Sequence, residues 1–180
     1  MRKMVCALWL TVFLLFTVAE ISQAGSLGFW GFTIGDSIPA CAAQMRQLQA
    51  QGQIDRLAAV NENQIAIYME INHSPATLIL TFTNGNLASL LVATYASPSL
   101  QSVAQQIRVE LPGLIKKFGV PTSVNNNIER DMAHHPKFAN AATWEYEDGE
   151  EIFVGVYYNG QVYRMFMIMQ QTTTQDQTFT

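Results

Sequence analysis

Three groups of side chains in this sequence are of types from which chemistry could be built. Asp131, His134 and His135 bring metal-type ligands together within five residues. Zinc takes three or four converging ligands, and adjacent histidines in an extended segment point to opposite sides. The cluster therefore reads as a solvated loop, with no metal assigned. The competing reading is a hydrolase that uses His134, His135 and an acid of the 145–151 segment. It requires a histidine within hydrogen-bond reach of a Ser, a Cys or a carboxylate inside a pocket. The second group is Glu145, Glu147, Asp148, Glu150 and Glu151, five acids in seven residues. Calcium needs six to eight oxygens from a looped backbone, and the EF-hand spacing is absent. The acids read as a wet hairpin tip around Asp148-Gly149, able to steer a basic protein partner. The third group is Tyr157, Tyr158 and Tyr163, of the residue type in which binding energy concentrates.

The remaining candidates carry less. Glu70 is the one acid in an apolar run, and strand alternation turns its side chain away from Met69 and Ile71. No G-x-S-x-G, G-x-G-x-x-G or P-loop pattern occurs, so neither a catalytic residue nor a cofactor is assigned. Of the two cysteines, Cys6 lies in the N-terminal apolar run. Cys41 falls on the apolar side of a helix and reads as a core thiol.

Those groups need a scaffold, and the patterning supplies one. Ile38, Cys41, Ala42, Met45 and Leu48 recur at helical spacing, which predicts a helix over 38–51 begun by Asp36 or Ser37 and ended by Gly52. Leu100, Val103, Ile107, Leu111, Leu114 and Phe118 predict a second helix over 99–118, with a kink or break at Pro112. Strands are expected at 65–71, 77–83 and 87–95, the last two joined by Asn84-Gly85. A weaker one is expected at 54–60. Residues 122–141 read as a long irregular loop, with room for a short strand at its start. A meander follows at 142–147, 151–158 and 161–169. The order is helix then three strands, twice, with halves 25–97 and 98–170. That is a two-layer α+β domain with an antiparallel sheet and two main helices on one face. The strand at 162–169 is apolar on both sides apart from Arg164. That calls for a second cover, either a partner or the N-terminal aromatics Phe29, Trp30 and Phe32.

The ends of the chain set the compartment. Arg2-Lys3, an apolar run from Met4 to Val18 and Ser22-Gln23-Ala24 have the three-part order of a cleavable signal peptide over residues 1–24. Periplasmic or secreted placement follows, with no membrane anchor after cleavage and a flexible tail at 171–180. The 14 acids fall to 13 without Glu20, and the 10 bases to 8 without Arg2 and Lys3, leaving a charge near −5. Nucleic-acid binding needs a basic stripe, and there is none.

Two short motifs carry a resemblance. Gly35-Asp36-Ser37-Ile38 opens the first helix. Lys117-Phe118-Gly119-Val120-Pro121-Thr122 closes the second, and Trp144-Glu145-Tyr146 follows. This set resembles small extracytoplasmic domains, namely the outer-membrane assembly lipoproteins of the BamE type and the β-lactamase inhibitor proteins. It covers some 15 residues. The resemblance implies an α+β fold and a binding style, and the chain departs from the lipoproteins in lacking a cysteine directly after its apolar run. The expected function is a non-enzymatic module that binds another protein through the second meander and the 125–140 loop. The alternative is a small ligand on the uncovered sheet face.

Overall fold

The computed structural model describes residues 27–71 and 73–172. The signal peptide expected at 1–24, and the tail beyond residue 172, lie outside the described residues. The elements are β1 (Gly28–Phe29), β2 (Phe32–Thr33), α1 (Ile38–Ala50), β3 (Ile54–Asn61), β4 (Gln64–Ile71), β5 (Ser74–Thr83), β6 (Asn86–Ser97), α2 (Leu100–Phe118), β7 (Ser123–Val124), α3 (Ile128–His134), β8 (Phe138–Glu145), β9 (Glu150–Tyr158) and β10 (Tyr163–Gln171). The class is α+β.

Local chemistry explains both long helices. The Ser37 hydroxyl accepts from the Ala40 N–H and starts α1 beside Pro39, and Ser99 does the same for α2 through Ser102. Cys41, Met45 and Leu48 are the buried face of α1. Ile38, at its first position, is 46% exposed and not part of that face. Val103, Ala104 and Ile107 anchor α2. Of the kink or break expected at Pro112, the break does not occur: α2 is one helix through it. Pro112 is exposed, so water can solvate the carbonyl freed by the missing N–H.

Eight strands form one sheet in the order β3-β4-β5-β6-β10-β9-β8-β7, with every neighbouring pair antiparallel. Each half of the chain contributes four strands rather than three. The halves meet where their last strands, β6 and β10, pair.

Strand register divides the side chains into rows that cross the sheet. Ile67, Leu78, Val92, Met167, Val154 and Ala142 are successive partners in one row. Ile65, Leu80, Leu90, Met169, Ile152 and Trp144 form another. These rows lie under the helices and, with Ile65 and the helix anchors, make one core. The N-terminal aromatics join the same side. Phe32 is fully buried in that core, Phe29 lies beside Lys117 of α2, and Gln44 of α1 donates to the Trp30 carbonyl at 2.8 Å. They do not cover the other face of the sheet.

The segment 122–141 departs most from the sequence reading. β7 is the short strand allowed for at its start, but the helix α3 and the start of β8 stand where an irregular loop was expected. Only Ile128 and Met132 anchor α3 in the core, and two contacts in seven residues are too few for periodicity to reveal.

Candidate functional site

Asn125 organises the segment before β8. Its N–H donates to the Ala141 carbonyl at 2.8 Å, and its Nδ2 donates to the Asn140 carbonyl at 2.9 Å and to Asp131 Oδ2 at 2.6 Å. Its Oδ1 accepts from the Asn127 N–H at 2.8 Å. One side chain thus ties the start of α3, its middle and the edge of β8 together. Between α3 and β8 lies a cleft of about 630 Å³, lined by Asp131, His134, His135, Lys137, Phe138 and Asn140 among others. Volumes of this order are typical of ligand sites.

Phe138 is 43% exposed at the mouth of the cleft. Its ring stacks on Phe166 at 5.1 Å, and Tyr157 lies 6.2 Å from Phe166. Phe166 lies across Gly155, where a Cβ would come within 2.9 Å of the ring and closer still to the Ala139 carbonyl. Asn140 Oδ1 is buried and has no hydrogen-bond partner among the described residues. An orphaned acceptor of this kind costs about 1–3 kcal/mol.

His134 is the last residue of α3 and His135 follows it. Both are exposed, and neither side chain hydrogen-bonds to a Ser, a Cys or a carboxylate among the described residues. No three His, Cys, Asp or Glu side chains there are grouped to hold a metal ion.

The residues picked from the sequence do not share one surface. Tyr157 stands on the face turned away from the helices, in register with Phe138 and Arg164. Tyr158 and Tyr163 stack on each other at 4.7 Å on the helix side, packed against the core. The Tyr158 hydroxyl donates to the Gly160 carbonyl. The acids lie at the opposite end of the strands, about 20 Å away at ~3.3 Å per residue. Glu147 and Asp148 are exposed, while Glu151 is half-buried and accepts from Gln170 at 3.1 Å. Glu150 is only 5% exposed. Its two carboxylate oxygens accept from the Leu27 N–H at 3.1 Å, so it pins the N-terminal hairpin instead of facing a partner. Burial, with Asp148 adding to it, pushes its carboxyl above the ordinary range.

The Trp144-Glu145-Tyr146 motif has a structural role. Trp144 Nε1 donates to the Gly119 carbonyl at 2.8 Å, and the Tyr146 hydroxyl to the Phe118 carbonyl at 3.0 Å. These bonds satisfy carbonyls at the end of α2 that have no partner within the helix. Burial pushes the Tyr146 hydroxyl up, and Glu150 and Asp148 reinforce the shift. Lys117 sits over the rings of Phe29 and Phe118 at 5.3 and 4.9 Å, and burial lowers its ammonium pKa.

Sequence reasoning took in the 125–140 segment as a whole and did not single out Asn125, Lys137, Phe138 and Asn140. The alternation Phe138, Asn140 before Ala142 and Trp144 was the available signal for an early start to β8. Fold and cleft together define an α+β protein with a candidate binding cleft at the edge of its sheet. Comparison of the chain with protein-family models, curated proteins and solved structures finds no match.

Proposed function

We propose that this chain is an exported, non-enzymatic binding module that captures another protein at the corner formed by α3, the start of β8 and the end of β9. One observation carries the reading. The cleft between α3 and β8 meets the exposed Phe138 ring, itself seated on Phe166 and flanked by Tyr157. A rigid aromatic anchor beside a cleft is the form that binding hot spots take. The resemblance to extracytoplasmic inhibitor and assembly domains points the same way, as does the three-part N-terminal segment. The exposed histidines, with no orienting partner among the described residues, lend no support to a hydrolase.

The test is capture of a partner from the native extracytoplasmic fluid. The wild type and a Tyr158→Ala, Tyr163→Ala variant should retain the same protein. Phe138→Ala should lose it, with unchanged melting. Capture that survives Phe138→Ala overturns this site. Failure of the wild type to capture any protein overturns protein binding and favours a small ligand.

A further inference from the structure

The face of the sheet away from the helices carries its own apolar row. Ala66, Ile79, Leu91, Ile168, Phe153 and Thr143 are successive register partners across β4, β5, β6, β10, β9 and β8. Ile79, Leu91, Ile168 and Phe153 are half-buried, and none belongs to the core under the helices or is packed against it. Four large apolar side chains in contiguous strands form a ridge about 20 Å long at ~4.8 Å per strand. An antiparallel sheet with one wet face carries polar residues there. The middle of this row is apolar instead, and no described element covers it.

The rows on either side say what fits. Next to the ridge runs Tyr68, Thr77, Ala93, Phe166, Gly155 and Asn140. Thr77 and Ala93 make a shallow trough of its β5–β6 part, whereas over β10 and β9 the Phe166 ring roofs Gly155. A twofold axis parallel to the rows and midway between them sets Ile79 and Leu91 of one copy over Thr77 and Ala93 of the other, and Ile168 and Phe153 over the Phe166 ring that roofs Gly155, reciprocally. Contacts of this kind are isologous and close on themselves.

Charge follows the same operation. Beyond the ridge lies the row of Ser89, Gln170 and Glu151, and beyond the trough the row of Arg164 and Tyr157. The axis exchanges those outer rows, so Arg164 of each copy stands one strand from Glu151 of the other. Gln170 already holds the Glu151 carboxylate toward β10 at 3.1 Å. Arg164 has no carboxylate within salt-bridge distance among the described residues; the ion pair found there is Arg108 with Glu129.

We propose that a second copy of this chain occupies the open sheet face, giving a face-to-face dimer with Leu91 near its centre and two Arg164–Glu151 pairs at its rim. The face across five strands and four rows measures about 25 by 20 Å, so the two copies bury on the order of 1,000 Å², the level a specific interface needs. Sheets packed this way keep their strands within about 30° of alignment. The proposal does not rest on the cleft between α3 and β8.

Sedimentation equilibrium of the purified protein tests it. The wild type should be dimeric at about 10 µM, a value within the range open to interfaces of this size. Leu91→Arg, at a half-exposed position, should be monomeric with unchanged far-UV circular dichroism. Arg164→Glu and Glu151→Arg should each weaken the dimer about tenfold or more, and the double swap should restore it to within about threefold, the signature of direct coupling. A wild type still monomeric at ~100 µM overturns the proposal. So does a double variant no tighter than the singles. A monomer that binds 8-anilinonaphthalene-1-sulfonate, and loses it on Leu91→Arg, assigns the face to a small apolar ligand instead.

Discussion

Glu150 differs from its acidic neighbours, and nothing in the local sequence marks the difference. Five acids around a turn look alike on paper. What separates Glu150 is the Leu27 N–H, 123 residues away, bound to its carboxylate. The pH dependence has a definite sign. Its folded pKa lies above its ordinary 4.5, so the folded chain holds the proton more tightly than the unfolded chain. The stability from that proton is full below the ordinary value and is lost as pH rises through the raised one. Glu150→Gln keeps an acceptor for Leu27 and removes the buried charge. The variant should be more stable than wild type at pH 7 in urea unfolding, and the gap should narrow as pH falls toward 4.5. A gap independent of pH would show that the carboxyl titrates alike in both states. Residues whose fate depends on local spacing were more legible. Cys41 and Ile107 were placed on buried faces by helical periodicity and are 0% and 1% exposed. Burial pushes the Cys41 thiol up to about 11, with Asp36 adding to it.

Among the elements, long ones with continuous patterns could be read and short ones could not. The helix α2 was visible as a stripe, and of the kink or break expected at Pro112 the break did not follow, because its anchors lie in the first two turns and the proline faces water. Removing the proline should still help. A proline inside a helix costs ~3 kcal/mol relative to alanine, offset by ~0.4–1 kcal/mol from the stiffness it gives the unfolded chain. With the carbonyl solvated, Pro112→Ala should raise stability by about 1–2 kcal/mol, read as a higher urea midpoint at unchanged slope. A lower midpoint would mean that the ring packs against something α2 needs. The strand β3 gave a weak signal for another reason. It is a sheet edge, with Leu57 and Val60 exposed, so its side chains do not alternate between core and water. The cleft depended on α3 and on Asn125, whose bonds reach Asn140 and Ala141, 15 and 16 residues along the chain; the polar composition of 122–141 suggested a loop to be reckoned with but not its shape.

The whole molecule is two similar units sharing one sheet. Each runs from a helix into four strands, and the repeated order was legible because the turn dipeptides and helical stripes recur. The join was not, because pairing between β6 and β10 spans some 70 residues and leaves no local mark. That join has a consequence for folding. The helix α2 packs on β6, β9 and β10, so the helix that opens the second half covers the last strand of the first. Neither half can bury its inner rows alone. The N-terminal hairpin adds a further tie, held to α1 through Gln44 and to β9 through Glu150. Unfolding should therefore be one transition despite the two-unit plan. Beyond residue 24 the chain has two tryptophans, Trp30 in the first unit and Trp144 in the second. The variants Trp30→Phe and Trp144→Phe each leave one reporter. Trp144→Phe also removes the bond to the Gly119 carbonyl, so it should melt lower. Within each variant, however, the fluorescence midpoint in urea should coincide with the midpoint from far-UV circular dichroism. If fluorescence of the Trp144→Phe variant, reporting on Trp30, changed well before the dichroism signal, the first unit would be opening by itself, and the shared core would not be holding the two units as one.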